Sequence, residues 1–409
     1  MQYSSFVLAN GLRIIHLHSD SPVSYCGFAV NAGTRDEQSN QYGLAHFVEH
    51  ILFKGTEKRK VRHILNRMEA VGGELNAYTT KEETFLYTVC LHEDTERAIE
   101  LLSDLIYHSQ FPETEIEKER EVIIDEIHSY EDSPSELIFD EFENLLFAGN
   151  DLGHAILGEE ENLKHFTSAS CRNFVNDYYY PENMVFFSYG KTPFSKILRY
   201  VEKYSPSILS STSKHLFRHC PCTELLPIET NIRNKNLHQT HVITGGKAYG
   251  LFEDKRIGLL LLNNILGGPG MNSRLNVILR EKYGLVYTVD AEVVSYTDTG
   301  VFTIYFGCDL ESMEQCLNLV KKELKRLRDR KLSGSQLAAA VKQWKGQLGI
   351  ASEHKENVAL RMGKNFLHFN KYESLPQMYQ KIDALTAESL LEIANEIYEE
   401  KQLSSLVYQ

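Results

Sequence analysis

The chain has 409 residues, of which 42% are hydrophobic and 24% are charged, with 10 prolines. This length exceeds what one ordinary hydrophobic core accommodates, so two domains are expected. The chain contains no run of about 18 apolar residues that would indicate a membrane span, and residues 1–20 lack the pattern of a secretory signal. The formal net charge of -13 disfavours a surface that binds nucleic-acid phosphates. We therefore expect neither nucleic acid nor a membrane as a partner.

The 7 cysteines are odd in number and widely spaced, and most of them lie within apolar segments. That distribution is typical of buried, reduced thiols rather than of a disulfide framework. It predicts a cytoplasmic location.

The first half of the chain mixes strand-like and helix-like patterns, with apolar residues at i, i+3 and i+4 in the helical segments. In chain order the predicted elements are two strands around Asn10-Gly11, helices near 40–54 and 60–71, strands at 74–80 and 84–92, helices near 93–109, 113–131 and 135–147, and a strand at 183–190. Segment 202–228 loses this periodicity and collects Ser, Thr and Pro, so the domain boundary is placed there.

The second half repeats this order. Its predicted elements are a strand at 240–249, helices near 255–266 and 272–283, strands at 285–297 and 300–309, and helices near 311–331, 334–352 and 354–369. The repetition predicts an α+β fold of two similar domains, 1–205 and 225–409, joined by a linker at 206–224. Because hairpins join successive strands, each sheet should be mostly antiparallel with helices packed on one face.

The stretch 43-GLAHFVEHILFKGT-56 places two imidazoles and a carboxylate among apolar residues. On a helix, His46 and His50 are i and i+4, so both rings leave the same face about one turn apart. This spacing suits two nitrogen ligands on one tetrahedral metal ion. Glu49 lies at the edge of that face, close enough to act on water at the metal without being a ligand. The spacing leaves a second interpretation open, in which both histidines are ordinary hydrogen-bonded core residues.

A catalytic zinc site needs a third protein ligand and one open position for water. The predicted helix 116-IEKEREVIIDEIHSYED-132 is the candidate source of that ligand. Its apolar positions, which mark the packed side, are Ile116, Val122, Ile123, Ile124 and Ile127. Glu119 and Glu126 lie two turns apart on one stripe, so one could bind the metal while the other orients a ligand histidine. A solvated acidic face is the other possibility, and spacing alone does not choose among these carboxylates.

The segment 31-NAGTRDEQSNQYGLAHFVEHILFKGT-56 resembles the active-site region of the pitrilysin/insulinase-type zinc peptidases, which are inverzincins. That family includes the mitochondrial processing peptidase and its bacterial relatives. Its members carry His-x-x-Glu-His and, roughly seventy-five residues later, a liganding Glu that ends a Glu-Arg-x-Val-Ile-x-x-Glu pattern. Other segments agree with the family pattern, namely 72-GGELNAYTTKEET-84, 129-SYEDSP-134, 153-GHAILGEEEN-162, 179-YYPENMV-185 and 267-GGPGMNSRLNVILREKYGLVYTV-289.

The resemblance implies a zinc-dependent endopeptidase that holds Zn²⁺ with His46, His50 and Glu126. Because 119-EREVIIDE-126 fits the family pattern, Glu119 becomes the carboxylate that supports a ligand histidine. Glu49 is then the general base toward water and later the general acid toward the leaving amine.

The resemblance also implies residues that contact the substrate. Arg280 and Tyr287 match the Arg/Tyr pair with which the family holds substrate and stabilises the oxyanion. From the residues alone, a strand tyrosine with its ring in the core is the favoured interpretation of Tyr287. Asn76 and Ala77 lie in a strand that the family uses as an open edge, to which a peptide adds as an extra strand. A turn-entry position is the alternative for Asn76.

Family members with two domains usually pair, so that the metal half of one chain faces the Arg/Tyr half of the other. Because this chain contains both sets, the resemblance implies a head-to-tail homodimer with composite sites, or else a heterodimer with a homologous subunit. The implied substrates are peptides or short unfolded polypeptides in an enclosed chamber. The alternative function is a non-catalytic or substrate-presenting subunit of a heterodimeric processing peptidase, although such relatives typically lose the histidines or glutamates that this chain retains.

Overall fold

The computed structural model describes residues 3–205 and 230–409, so the predicted linker 206–224 lies outside the described residues. The strands in these ranges are β1 (Ser4–Val7), β2 (Arg13–His18), β3 (Val23–Val30), β4 (Glu74–Thr79), β5 (Thr84–Leu91), β6 (Met184–Gly190), β7 (Thr230–Arg233), β8 (Thr240–Ala248), β9 (Val286–Ser295), β10 (Gly300–Cys308) and β11 (Ser404–Tyr408).

The helices of the first half are α1 (Leu44–Leu52), α2 (Val61–Glu69), α3 (Thr95–His108), α4 (Glu113–Glu131), α5 (Pro134–Leu146), α6 (Glu160–Leu163), α7 (Ser168–Tyr178) and α8 (Phe194–Tyr204). Those of the second half are α9 (Arg256–Gly267), α10 (Met313–Asp329), α11 (Gly334–Ala351), α12 (Lys355–Phe369), α13 (Leu375–Asp383) and α14 (Ala387–Ile397). A π-helical segment, Asn276–Lys282, lies where the sequence predicts an ordinary helix.

Two sheets share one topology. The first has the strand order β1-β2-β6-β3-β5-β4 and the second β7-β11-β8-β10-β9. In each sheet one pair is parallel, β2 with β6 and β11 with β7, and the remaining pairs are antiparallel. Apart from β1, the two orders superimpose strand for strand. The predicted α+β fold of two similar, mostly antiparallel sheet-and-helix domains is therefore confirmed.

Contacts group the described residues into two compact units that exchange segments. The first unit combines residues 3–128, 155–205 and 351–374, and the second combines 129–154, 230–350 and 375–409. Helix α5 thus belongs with the second sheet and α12 with the first. A division at one linker would assign these two helices the other way round.

Each sheet carries a single helix on the face opposite its main helical layer, in addition to the helices predicted for one face. In the first unit, Met362 and Phe366 of α12 pack with Phe85 and Phe187 of the sheet in one buried cluster. In the second unit, Ile138 and Phe142 of α5 pack with Ile243 and Leu406. Both faces of each sheet are therefore covered by apolar side chains, at least in part.

The sequence prediction omitted β3, α6, α7, α8, β7, α13, α14 and β11. Strand β3 lies between β6 and β5, and its last five residues are all buried. A strand that is buried on both faces shows no alternation of polar and apolar residues, which is the usual signal for a strand. The predicted turn at Asn10-Gly11 is present, with Gly11 in the left-handed region at φ 90°.

Five cysteines of the described ranges, Cys26, Cys90, Cys171, Cys308 and Cys316, are buried and form no disulfide, as predicted. Within the same ranges, no helix has both the length and the apolar character that crossing a bilayer requires.

Candidate metal centre

Helix α1 is fixed in place from its N-terminus. Gly43 precedes it with φ 97°, in the left-handed region, and a Cβ there would lie 2.7 Å from the carbonyl oxygen of Leu157. The buried Glu37 carboxylate accepts hydrogen bonds from the backbone N–H groups of Gly43 at 2.8 Å and Ala45 at 2.6 Å. Burial raises the pKa of Glu37 well above its ordinary value, and these two hydrogen bonds oppose that shift. The carboxyl oxygens satisfy backbone donors that have no partner within the helix. The start of α1 is therefore held to the preceding loop.

The structure brings His46, His50 and Glu126 together, as the spacing and the resemblance predict. One nitrogen or oxygen atom of each residue lies within 4.8 Å of the others. His46 Nε2 is 3.9 Å from Glu126 Oε1, and His50 Nε2 is 3.6 Å from Glu126 Oε2. Two ligands about 2.1 Å from a tetrahedral zinc ion lie about 3.4 Å apart. These separations and the two-nitrogen, one-carboxylate donor set therefore fit a zinc ion.

The two histidines differ electrostatically. Burial, with a smaller contribution from His50, lowers the pKa of His46 to about 3, so its imidazole is neutral as a metal ligand must be. Burial also lowers the pKa of His50, but the Glu119 hydrogen bond and the Glu49 and Glu126 carboxylates outweigh it and raise the pKa. These carboxylates favour the positively charged form of His50. A divalent metal ion would supply that positive charge instead.

Glu119 contacts Nδ1 of His50, the ring nitrogen that is not directed toward Glu126. His50 Nδ1 lies 3.0 Å from Glu119 Oε1, and Lys54 Nζ lies 2.6 Å from Glu119 Oε2. Burial raises the pKa of Glu119, but the His50 and Lys54 contacts outweigh burial and lower the pKa, which keeps the carboxylate ionised. When the neutral His50 ring donates a hydrogen bond from Nδ1 to Glu119, its Nε2 keeps a free lone pair that is directed toward Glu126. The arrangement matches the supporting role predicted for Glu119.

Glu49 lies beside the metal group on the same helix and is 8% exposed. Its Oε2 accepts a hydrogen bond of 2.7 Å from the Thr79 hydroxyl on β4. Burial raises the pKa of Glu49 and the Glu126 carboxylate raises it further, whereas Thr79 and His50 oppose the shift. A carboxylate whose pKa is raised toward neutrality is suited to accept and return a proton.

The carboxylates of helix α4, among which the spacing alone could not choose, lie in different environments. Glu119 is buried and Glu126 joins the metal group, whereas Glu117, Glu121 and Asp125 are exposed, as expected for a solvated face. The predicted packed side was wrong at Val122, whose side chain is exposed. Val122 is followed directly by the buried Ile123, so adjacent apolar positions on this helix face different environments.

Strand β4, which carries Asn76 and Ala77, is the edge of the first sheet. Asn76 pairs with Tyr87 in the middle of the strand, so a turn-entry position is excluded. Side chains alternate along the strand, with Ala77 packed against the cluster that contains α1 and Tyr78 in the cluster that contains α12. Asn76 therefore shares the face of Tyr78, while Ala77 and Thr79 share the face of Glu49.

Arg280 and Tyr287 belong to the second unit, whereas the metal group belongs to the first. Arg280 lies in the π-helical segment, 3.8 Å from Glu281 Oε1. Tyr287 lies on β9, the edge strand of the second sheet, and is 86% exposed. This exposure excludes the alternative of a core tyrosine.

Two family models match consecutive parts of the chain. The model described as Insulinase (Peptidase family M16) matches residues 13–160, and the one described as Peptidase M16 inactive domain matches residues 165–344. A *Bacillus subtilis* protein named uncharacterized zinc protease YmxG is 31% identical over 408 residues, which cover 98% of this chain and 97% of that protein. The chain belongs to peptidase family M16. The predicted resemblance is confirmed.

Other similar proteins agree with this assignment of the M16 chain. The mitochondrial-processing peptidase subunit beta of *Bos taurus* is 29% identical over 401 residues, covering 96% of this chain and 81% of that protein. A solved protease from *Helicobacter pylori* has a TM-score of 0.88 at 20% identity, covering 100% of this chain and 99% of that chain. A solved structure titled peptidase M16 inactive domain, from *Pseudomonas fluorescens*, has a TM-score of 0.91 at 18% identity, covering 100% and 98%. Several of the similar proteins, from *Bacillus subtilis* and from *Rickettsia bellii* among others, are named zinc proteases.

Sequence reasoning missed three residues that position the metal group of this M16 chain, namely Glu37, Lys54 and Thr79. Each acts on α1 or α4 from outside the motif, through a hydrogen bond or ion pair. Thr79 had a detectable signal, because it lies two residues after Ala77 in a predicted strand and so shares its face. Glu37 and Lys54 had none, since their partners are a helix N-terminus and a carboxylate distant in sequence.

Proposed function

We propose that this chain is a zinc-dependent metalloendopeptidase that hydrolyses peptides or short unfolded polypeptides in an enclosed chamber. The observation that carries the proposal is the convergence of His46, His50 and Glu126, with ligand atoms within 4.8 Å of one another beside the buried Glu49. The names of the relatives support zinc as the metal. A group that only bound metal would have little use for Glu49.

The roles of the residues follow from their contacts. His46, His50 and Glu126 hold the zinc ion, which, when bound, supplies Lewis-acid activation of water and of the scissile carbonyl. Glu49 accepts the proton of the attacking water and returns it to the leaving amine. Thr79 directs the Glu49 carboxylate, because its hydroxyl donates to Oε2.

Substrate binding is assigned to the edge strand β4. A peptide that pairs there extends the first sheet and is recognised mainly through its backbone. Ala77 lies on the Glu49 side of the strand, which supports a path for the peptide past the proton acceptor. Asn76 points to the opposite face, so its amide is assigned to hold a substrate group on that side.

The oxyanion stabilisers are Arg280 and Tyr287, contributed by a partner subunit in a head-to-tail homodimer. The exposure of Tyr287 on an edge strand supports this role, because a donor for substrate must be accessible. A heterodimer with a homologous subunit is the other assembly that would complete such a site.

The buried, unpaired cysteines support a cytoplasmic location.

The catalytic role is tested with Glu49→Gln. The variant keeps the shape of the side chain and all three metal ligands, so it should bind zinc like the parent protein but cleave a quenched fluorescent peptide at least about 1,000-fold more slowly. Zinc is measured by elemental analysis and cleavage by fluorescence. Cleavage at the parental rate would refute the role of Glu49. If the parent protein neither binds zinc nor cleaves, the chain is instead a non-catalytic or substrate-presenting subunit.

The composite site is tested by mixing two inactive variants, Glu49→Gln and Tyr287→Phe. In a head-to-tail homodimer, a mixed dimer has one site with both defects and one site that is intact. Random exchange of equal amounts then restores about a quarter of the parental activity. If Glu49 and Tyr287 act within one chain, no activity returns on mixing. Each variant mixed with itself through the same exchange protocol is the control.

A further inference from the structure

A cationic cavity lies in the first unit between α2 and α3, separate from the metal group. Its volume is about 410 Å³, and its lining residues are Lys58, Arg59, His63, Asn66, Arg67 and Arg97. The lining includes neither a carboxylate nor an apolar side chain. Because the whole chain has a formal net charge of -13, this cavity has the opposite sign to the protein that surrounds it.

The local sequence explains the charge. The run 58-KRKVRH-63 has five basic residues in six positions and leads into α2, which begins at Val61. On that helix, His63, Asn66 and Arg67 stand at i, i+3 and i+4 and therefore share one face. The neighbouring helix α3 adds Arg97. Cationic groups from two helices and the preceding loop thus meet around one space.

Buried carboxylates hold two of the guanidinium groups in fixed orientations. Arg59 donates to Asp104 and Glu100, and Arg67 Nη2 donates to Glu100 at 3.1 Å. The Asp104 and Glu100 side chains are only 3% and 17% exposed, so they lie beneath the guanidinium groups. Each guanidinium has five N–H donors, and these contacts use only one or two of them. The remaining donors are oriented before any ligand arrives, which reduces the entropic cost of binding.

Arg67 has an unsatisfied donor. Its Nε is buried and has no hydrogen-bond partner among residues 3–205 and 230–409. Arg97 Nη1 donates to the Arg67 backbone carbonyl oxygen at 3.2 Å, and Arg97 Nε lies 3.4 Å from Asp94 Oδ1, so the side chains of both arginines line one cavity. A buried donor without an acceptor is unfavourable, and so are neighbouring like charges. An anion with several oxygen atoms would relieve both.

We propose that this cavity binds a ligand with two or more linked phosphate groups, either a free oligophosphate or the phosphate chain of a nucleotide. Oriented guanidinium forks match phosphate oxygens in geometry and charge. The volume falls within the range of about 300–1,000 Å³ that is typical of small-molecule sites, which exceeds the need of a single phosphate. No Phe, Tyr or Trp side chain lines the cavity, so the phosphates carry the recognition.

Isothermal titration calorimetry on the full chain tests the ligand class. Inorganic triphosphate should bind, and citrate, a small polyanion built from carboxylates, should bind at least about tenfold more weakly. Adenosine triphosphate that binds as tightly as inorganic triphosphate identifies the phosphate chain as sufficient, and tighter binding identifies a nucleotide as the ligand. Absence of triphosphate binding at about 1 mM, or equal binding of citrate, would overturn the proposal.

Matched variants test the location. Lys58 and Lys60 are both exposed and lie two residues apart, but only Lys58 lines the cavity. Lys58→Gln should weaken triphosphate binding about fivefold to tenfold, whereas Lys60→Gln should change it less than twofold. Arg67→Lys keeps the charge beside Glu100 but removes the Nε donor, and should weaken binding about tenfold. Equal losses in the two lysine variants would show non-specific attraction and overturn the assigned site.

Discussion

Helices α1 and α9 hold the same place in two units of the same topology, but only α1 carries a metal group. Each follows a central strand of its sheet and packs against the edge strand of the following hairpin, β4 or β9. The C-terminal parts of the helices read 49-EHIL-52 and 263-NNIL-266. In this register Asn263 and Asn264 occupy the positions of Glu49 and His50, and Leu260 that of His46. The shared scaffold therefore does not dictate the chemistry, which depends on a few side chains.

The following long helices differ in the same way. Helix α4 supplies Glu119 and Glu126, whereas the stretch 334-GSQLAAAVKQWKGQLGIA-351, which forms α11, contains no carboxylate at all. The second unit thus lacks the third ligand and its supporting acid as well as the histidines. Among the described residues, the group that could hold a metal ion therefore belongs to the first unit, although the two units share a topology.

The largest effect on metal affinity and activity is expected when His50 of α1 is replaced by the residue at the corresponding position of α9. His50→Asn removes one of three ligands and the partner of Glu119. Because loss of an outer partner alone costs about 10–100-fold in metal affinity, loss of a ligand should exceed 100-fold and abolish peptide cleavage. A zinc chelator titration and a fluorescent peptide assay measure the two quantities. Parental zinc affinity in this variant would contradict the assignment of His50.

The reverse variant, Asn264→His, is the matched control for His50→Asn. It places an imidazole at the corresponding position of α9, where neither a second histidine nor a carboxylate from α11 is available. Zinc content should remain that of the parent protein. An additional zinc ion per chain would show that the second unit keeps a latent site, which would weaken the contrast between the two helices.

The two exchanged helices offer a second comparison, between a carboxylate that contacts two basic side chains of α12 and a carboxylate of α5 that accepts from a tyrosine. Helix α5 also carries an ion pair, between Glu141 and Arg233. On α12, His368 Nε2 and Lys364 Nζ lie 2.6 Å and 3.0 Å from Glu83 Oε1 at the turn between β4 and β5. On α5, Glu143 accepts a hydrogen bond of 2.6 Å from the Tyr296 hydroxyl. Burial raises the pKa of Glu83, but His368, Lys364 and Thr80 outweigh it and lower the pKa strongly.

Glu83→Gln should lower the free energy of unfolding at neutral pH by about 3 kcal/mol, because the buried Glu83 carboxylate loses its charge-assisted contacts with His368 and with Lys364, whose side chain is 40% exposed. Since the pKa of Glu83 is lower in the folded state, its contribution is present above its unfolded value of about 4.3 and is lost as the pH falls below it. The difference between parent and variant should therefore shrink below about pH 4.5. Urea unfolding at several pH values measures it, and a difference independent of pH would contradict the ionic account.

Glu143→Gln in α5 serves as the control for Glu83→Gln. It alters the hydrogen bond from the Tyr296 hydroxyl and leaves the Glu141–Arg233 ion pair of α5 in place, so the cost should be only about 1.5 kcal/mol. A cost as large as that of Glu83→Gln would remove the distinction between the two attachments.

The metal group shows which site residues the sequence predicts and which it does not. The i, i+4 spacing of His46 and His50 predicts two ligands on one face, because helix geometry is local. Glu126 is 76 residues beyond His50, and only the family pattern in 119-EREVIIDE-126 selected it from the carboxylates of α4. Local periodicity does not predict how two helices that are distant in sequence pack against each other. In the structure, Glu126 oxygens lie 3.9 Å from His46 Nε2 and 3.6 Å from His50 Nε2.

Other features depend on contacts that leave no periodic signal. The sequence predicts α12 as a helix and assigns it to the second domain, since chain order is the only guide to domain membership. Its partner sheet is identified by the packing of Met362 and Phe366 with Phe85 and Phe187. Similarly, the Glu37 carboxylate caps α1 from a loop outside the motif. Such contacts are specified by the whole fold rather than by neighbouring residues.

The smallest effect is expected from Thr79→Val, which sharpens the comparison of α1 with α9. Both helices have a hydrogen bond with their hairpin strand, since Asn263 Nδ2 donates to the Ala291 carbonyl oxygen at 2.7 Å and Glu49 accepts from the Thr79 hydroxyl at 2.7 Å. The first fixes a helix to a backbone, whereas the second fixes the orientation of one carboxylate. Thr79→Val should therefore lower kcat about tenfold while KM and zinc content stay close to the parental values. Thr79→Ser, which retains the hydroxyl, should restore most of kcat, and an unchanged kcat in Thr79→Val would mean that α1 alone positions Glu49.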